Sequence, residues 1–248
     1  MNKLNLAVVM PVYNEQECIE KVIRDWLKIL RSLQIGFKFI IVDDGSSDGT
    51  RDIILKMLTS VPEIEFLRQD NAGHGPAILS GYRRALSLNA EWIFATDSDD
   101  QIPAECFLWL WRETVHPYCA IMGIRKQRHD PFIRIVLSQV FKILIFIFFG
   151  TWIVDPNIPF RLMHRSFLLQ AIGLIPATTF APNIHLSILI KKFNISLKRV
   201  DIIHLARKTG TGSIKLSKIY KIGLKCLKDL ILFKKAQVRE CKLNAKNF

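Results

Sequence analysis

The chain has no CxxC pair; its five cysteines, Cys18, Cys106, Cys119, Cys226 and Cys241, are scattered and odd in number. That pattern excludes a zinc ribbon and a disulfide framework and points to a reducing compartment. No secretory signal is expected, because the apolar start at residues 4–12 runs into Tyr13-Asn14-Glu15 without a small-residue cleavage site. The apolar stretch between Lys142 and Asp155 is 12 residues, short of the about 18 that a spanning helix needs. Acid is scarce in the rear half, and residues 156–200 hold no Asp or Glu at all. Residues 1–110 carry 11 Lys/Arg against 16 Asp/Glu, whereas residues 111–248 carry 24 against 6. The front half therefore suits a cation or a polar nucleotide, and the rear half an anionic partner.

What is present centres on Thr96-Asp97-Ser98-Asp99-Asp100-Gln101, which follows a short apolar run that reads as a buried strand. Residues two apart on an extended chain point the same way, so Asp97 and Asp99 can converge on one small volume. Two such carboxylates repel unless a cation sits between them, and hard oxygen donors suit magnesium or manganese. An acidic surface turn has the same composition; the motifs upstream favour the cation.

Upstream, a strand at residues 6–10 exits through Pro11-Val12-Tyr13-Asn14-Glu15, and residues 15–33 carry apolar side chains at helical spacing. A second strand, 37–42, leads into Asp43-Asp44-Gly45-Ser46-Ser47-Asp48-Gly49-Thr50 and a helix over 50–58. Ser47 or Asp48 can cap that helix. Asp43 and Asp44 come too early to cap it, and suit a base N–H or a ribose hydroxyl. A third strand, 65–68, precedes Asn71-Ala72-Gly73-His74-Gly75 and a helix over 77–88. Ile78 stands where a dinucleotide fingerprint needs its third glycine, which argues against NAD. A helix over 103–115 and a strand over 120–124, ending at Arg125, complete an alternation that predicts an α/β fold with a mostly parallel sheet.

The composition then changes. Residues 132–149 are almost wholly apolar, but Arg134, Ser138 and Lys142 fall four apart on one helical stripe. This reads as a helix lying in a membrane interface, or as a core helix of a larger assembly. A helix over 181–193 and an extended segment over 197–204 follow, then Arg207-Lys208-Thr209-Gly210-Thr211-Gly212-Ser213, which suits a phosphate or a plain connector. Lys215, Lys218, Lys221, Lys225 and Lys228 share one arc of a final helix, either a solvated face or one for anionic lipid. Beyond residue 233 a frayed basic tail is expected.

Taken together, Pro11-Val12-Tyr13-Asn14-Glu15, Val42-Asp43-Asp44-Gly45-Ser46-Ser47-Asp48-Gly49-Thr50, Asn71-Ala72-Gly73-His74-Gly75 and Asp97-Ser98-Asp99-Asp100-Gln101 make the chain resemble the family 2 glycosyltransferases of GT-A fold. Within that family it resembles the dolichyl-phosphate-mannose-synthase-like enzymes, which load a sugar onto a polyprenyl phosphate. The resemblance implies a nucleotide-sugar site made by Pro11, Tyr13, Asn14, Glu15, Asp43, Asp44, Asn71, Gly73, His74, Asp97 and Ser98. It places Mg2+ or Mn2+ on Asp97, Asp99 and Gln101, and an acceptor phosphate on Arg125, Arg134, Ser138, Arg161 and Arg207. Asp99, Arg125, Arg134 and Arg207 are the implied catalytic set. His74 stands where lysine or arginine is common, Asp100 adds an acid, and Pro156-Asn157-Ile158-Pro159 replaces small polar residues before Phe160-Arg161. Many relatives carry transmembrane helices where this sequence has a basic stretch.

The expected organisation is a GT-A domain over residues 1–213, with a nucleotide-sugar half (1–125), an acceptor half (126–213) and an interfacial helix at about 132–149. A basic amphipathic helix and tail fill 214–248. The expected reaction is inverting, metal-dependent transfer from a UDP- or GDP-sugar to a polyprenyl or dolichyl phosphate. It would take place at the cytoplasmic face of a membrane, on a peripheral or monotopic enzyme, with room for a small anchoring or flippase subunit and no nucleic acid partner. A hydroxyl acceptor needs a general base, which an acid-free segment withholds, whereas a phosphate monoester is already an anion. Asp155 and His185 keep open an alternative, transfer to a glycan or protein hydroxyl in cell-envelope polysaccharide synthesis. A non-enzymatic rival, a basic peripheral-membrane or RNA-binding protein, leaves the front-half acids unexplained.

Overall fold

The computed structural model describes residues 4–125, 132–205 and 219–244. The strands are β1 (Leu6–Val12), β2 (Phe37–Asp43), β3 (Ile64–Arg68), β4 (Trp92–Ala95), β5 (Ala120–Arg125), β6 (Arg161–His164) and β7 (Leu197–Ile202). They form one sheet in the order β3-β2-β1-β4-β6-β5-β7, parallel except for β6, which runs against both neighbours. The helices are α1 (Ile19–Ser32), α2 (Thr50–Leu58), α3 (His74–Ser87), α4 (Cys106–Trp111), α5 (Phe132–Phe149), α6 (Arg165–Ile172), α7 (Pro182–Lys192) and α8 (Ile219–Asn244).

β1 is buried at every position, which is why it reads as a continuous apolar run and not an alternating one. The chain steps outward from β1 to β2 to β3, then returns to place β4 on the other side of β1. That reversal opens a crevice at the carboxyl ends of β1 and β4, where open α/β sheets bind ligands. Trp26, Phe94, Phe107 and Phe160 pack with centroids 4.6–6.2 Å apart and fix α1 and α4 against β4.

Several expectations are corrected. The helix expected over 103–115 is α4 followed by a 3₁₀ turn, Arg112–Val115. β6 and α6 lie where no element was expected. α8 does not fray beyond residue 233; it continues to Asn244. Cys226, Leu230 and Phe233 form its buried face, and Phe233 meets Phe149 at 6.0 Å and the His185 ring edge-on at 4.5 Å. The expected boundary at 213/214 and the loop 207–213 lie outside the described residues.

Candidate active site

Hydrogen bonds between two loops build the floor of the crevice. Asn14, in the left-handed region at φ 53°, donates its N–H to Ser46 Oγ at 3.0 Å and accepts the Ser47 N–H on Oδ1 at 2.8 Å. Glu15 N–H reaches Thr50 Oγ1 at 2.9 Å, and Gln16 Oε1 takes the Gly49 N–H at 2.7 Å. The cap position of α2 is Gly49, not the expected Ser47 or Asp48, although Asp48 Oδ1 accepts the Thr50 N–H at 3.0 Å. Held on this platform after Pro11, the Tyr13 ring is 41% exposed and open to a flat ligand.

The adjacent acids at the end of β2 have different work. Asp44 accepts Gln69 Nε2, Ala72 N–H and Gly73 N–H at 2.8–2.9 Å, so it holds the Asn71–Gly73 turn in place. Gly45, at φ 74°, lets that turn approach: a Cβ there would lie 2.8 Å from Asn71 N. Asp43 is fully buried and accepts the Ser46 N–H on Oδ1 at 2.9 Å. Its Oδ2 has no hydrogen-bond partner; Arg68 Nε stands 3.6 Å away.

β4 ends at Ala95, and Thr96 N–H still reaches Val9 O at 3.1 Å, so Asp97 leaves the sheet beside β1. The Asp97 Oδ1 is buried without a hydrogen-bond partner, with His74 Nε2 at 4.0 Å. Ser98 is buried behind it, its carbonyl 3.6 Å from Cys18 Sγ, and Asp99 Oδ1 accepts the Gln101 N–H at 3.3 Å. Asp100, at φ 56°, turns away to pair with Lys21 at 2.9 Å; Asp25 and Asp100 together hold the Lys21 ammonium above its ordinary pKa. Gln101 is latched to the segment after β7: Nε2 donates to Leu205 O at 3.2 Å and its carbonyl accepts the Leu205 N–H at 2.7 Å. Only its Oε1 is then left for the metal role expected of it.

Among the described residues no three His, Cys, Asp or Glu side chains form a metal cage. Magnesium and manganese do not need one; they are held by one or two carboxylates together with substrate phosphates and water. A buried carboxylate oxygen without a partner costs free energy until something positive meets it, and Asp97 Oδ1 is such an atom. Asp97, with Asp99 beside it in sequence, fits the expected cation.

The rear-half cations depart further from expectation. Arg161, expected to bind acceptor phosphate, is 0% exposed and donates to Ile158 O, Asn183 O and Pro156 O at 2.6–3.4 Å, with Ser187 Oγ at 3.4 Å. Burial lowers its pKa to about 10, so it stays charged at neutral pH, but it is sealed away from any ligand. Arg125 is bound bidentately by Asp155, Nε–Oδ2 2.9 Å and Nη2–Oδ1 3.0 Å, with both side chains largely buried. That pairing occupies the guanidinium expected to receive phosphate and the carboxylate weighed as a base. His185, the other candidate base, is buried under Phe233, and burial lowers its pKa. Ser138 is half-buried on α5. The Arg134 side chain and the whole of Arg207 lie outside the described residues.

Of the stitching partners, Gln16 and Gln69 lie outside every motif, and Ser46 and Thr50 lie within the Val42–Thr50 motif without an expected role of their own. Asp155 had a signal, as the last acid before an acid-free stretch, but it reads as a base and not as the clamp on Arg125.

Comparison with known proteins follows this geometry. The family model described as glycosyl transferase family 2 matches residues 7–172. The undecaprenyl-phosphate 4-deoxy-4-formamido-L-arabinose transferase of Pectobacterium carotovorum is 27% identical over 221 residues, 88% of this chain and 65% of the relative. The enzyme of the same name from Serratia proteamaculans is 26% identical over 223 residues, with the same coverage. The chain thus spans about two thirds of the length of these relatives. Among solved structures, glucosyl-3-phosphoglycerate synthase from Mycobacterium tuberculosis, in complex with Mn2+, UDP and phosphoglyceric acid, superposes with a TM-score of 0.68 at 16% identity. The match covers 93% of this chain and 78% of that one, a likeness of fold.

Proposed function

The chain belongs to glycosyl transferase family 2, and from that premise we propose that it transfers a sugar, with inversion, from a UDP- or GDP-sugar to a polyprenyl phosphate at a membrane surface. The observation that carries the reading is the buried, partnerless Oδ1 of Asp97 at the mouth of the β1/β4 crevice. Around it stand the exposed Tyr13 ring for the base and Asp43 Oδ2, buried beside Arg68 and without a hydrogen-bond partner, for a base or ribose donor. Asp97, Asp99 and Gln101 Oε1 would hold the cation. When bound, it neutralises the nucleoside diphosphate leaving group. Manganese and UDP in the fold neighbour support a cation and a uridine donor here.

The acceptor follows from what the rear half withholds. Asp155 is committed to Arg125, and His185 is sealed beneath α8. A sugar or protein hydroxyl has no evident base from these two, whereas a lipid phosphate needs none. The name carried by the undecaprenyl-phosphate transferases supports the same acceptor. Ser138 with Arg134 and Arg207 would receive its phosphate, making residues 1–125 the donor half and 126–213 the acceptor half.

A membrane surface is favoured by α5. Val140, Ile143, Phe146 and Ile147 line an outward face, Ile147 at 64% exposure, and Trp152 beside Phe146 is 54% exposed. Among the described residues no helix is long and apolar enough to cross a membrane, so this face suits the interface plane, with exposed Lys225, Lys228 and Lys235 of α8 for anionic headgroups.

Thermal-shift titration of the full chain against UDP- and GDP-sugars tests the donor site. With manganese, a donor at about a hundredfold excess over its Kd should add about 2.7 kcal/mol, and Asp97→Asn should abolish that gain. A chain that no nucleotide sugar stabilises, with or without manganese, would overturn the reading.

A further inference from the structure

Between residues 219 and 235 the sequence carries five lysines and one acid, Asp229. α8 turns that acid into the protein: its Oδ2 accepts Thr179 Oγ1 and the Phe180 N–H, both at 3.1 Å. Thr179 is fully buried, and His185 Nδ1 lies 3.5 Å from its hydroxyl. Phe233, one turn further along α8, covers that imidazole edge-on, and the part-buried bonds to Asp229 are charge-assisted.

Thr179 and Phe180 are in turn pressed against the donor side. Gly75 is the second residue of α3, and a methyl group added there would lie 1.9 Å from Thr179 O and 2.9 Å from Phe180 O. No side chain larger than hydrogen fits while that backbone stays in place. One residue earlier, His74 faces the partnerless Asp97 oxygen at 4.0 Å. Two and three residues earlier, Gly73 and Ala72 hang from Asp44 by their N–H groups. The first turn of α3 has no side-chain cap and no acid of its own. Its placement therefore depends on Asp44 from one side and on the Thr179–Phe180 backbone from the other.

We infer that Asp229 is a positioning residue for donor binding: from α8 it fixes Thr179–Phe180, which fixes the start of α3 and hence His74 beside Asp97. The identity of the donor rests on the function proposed above; the mechanical link does not. The C-terminal helix is thereby part of the nucleotide-sugar site without touching it.

Hydrogen–deuterium exchange of the unliganded full chain, together with donor kinetics, tests this. In Asp229→Ala, the amides of Ala77 and Ile78 should exchange about tenfold faster while β1 and β4 stay unchanged, the size expected when a charged acceptor is lost. The donor KM should rise about tenfold with kcat within about twofold. Asp229→Asn keeps a carbonyl oxygen able to accept both bonds, and should restore exchange and KM alike. Thr179→Val, which removes one donor and keeps the shape, should give a smaller change of the same kind, and serves where Asp229→Ala does not fold. Faster exchange confined to α8 and residues 179–180, with donor KM unchanged, would overturn the inference. So would Asp229→Asn behaving as Asp229→Ala. If the wild type turns over no nucleotide sugar, the proposed function fails and the exchange arm alone decides the link.

Discussion

The acids of the front half and the arginines of the rear half are used in opposite ways. Asp43 and Asp97 each keep one buried oxygen without a hydrogen-bond partner. Arg161 spends its donors on backbone carbonyls and a serine, and Arg125 is gripped by Asp155. A buried charge that the protein leaves unsatisfied marks a place for a ligand; one that it satisfies is scaffold. Counting charges by sign therefore does not tell the two uses apart.

The strongest way to break this contrast is at Asp97 and Asp99. Asn at either position should cut turnover about 10³-fold or more, over 4 kcal/mol. Thermal stability of Asp97→Asn should hold or rise, because a buried carboxylate oxygen without a hydrogen-bond partner loses its charge. A loss of fold instead would place these acids with the scaffold. Arg161→Met should do the reverse and lower stability by about 3 kcal/mol or more in a denaturant titration, since several buried carbonyls lose their donor. Unchanged stability with a raised acceptor KM would return Arg161 to the site.

Asp155→Ala should cost about 3 kcal/mol by removing the bidentate partner of Arg125, and the double replacement Arg125→Met/Asp155→Leu should recover most of it. Additive losses would show that the two groups act separately. On the surface, Ile147→Glu with Trp152→Ser should weaken binding to anionic vesicles by about 2 kcal/mol, roughly thirtyfold, in a co-sedimentation assay. Binding unaffected by the pair would remove α5 from the membrane face.

The smallest effect concerns pH. Burial depresses the folded-state pKa of His185, opposed by its bond to Ala181 and by Asp229. The unfolded chain therefore binds the proton first, and stability is complete above about 6.5 and lost as pH falls below it toward the folded-state value. His185→Phe should flatten that slope in melting curves; an unchanged slope would assign it to other groups.

Much of the front half was legible because its parallel strands are buried on both faces and read as unbroken apolar runs ending at polar motifs. The roles of Asp44 and Arg161 were not, since most of their partners are backbone amides and carbonyls, which leave no trace in a sequence. β6 escaped for a related reason: four residues beginning with arginine show neither alternation nor a turn signal. Asp229 was visible as the acid that ends a run of lysines, but its partners lie 49 and 50 residues away in the chain.

The central claim is that this carboxylate-lined crevice passes a sugar to a lipid phosphate. Its most direct test is to incubate the full chain with manganese, a pool of radiolabelled UDP- and GDP-sugars and undecaprenyl phosphate in anionic vesicles, then extract into organic solvent. The account predicts label in the organic phase that requires both the lipid phosphate and Asp99. Release of nucleotide with all label left in the aqueous phase would contradict it.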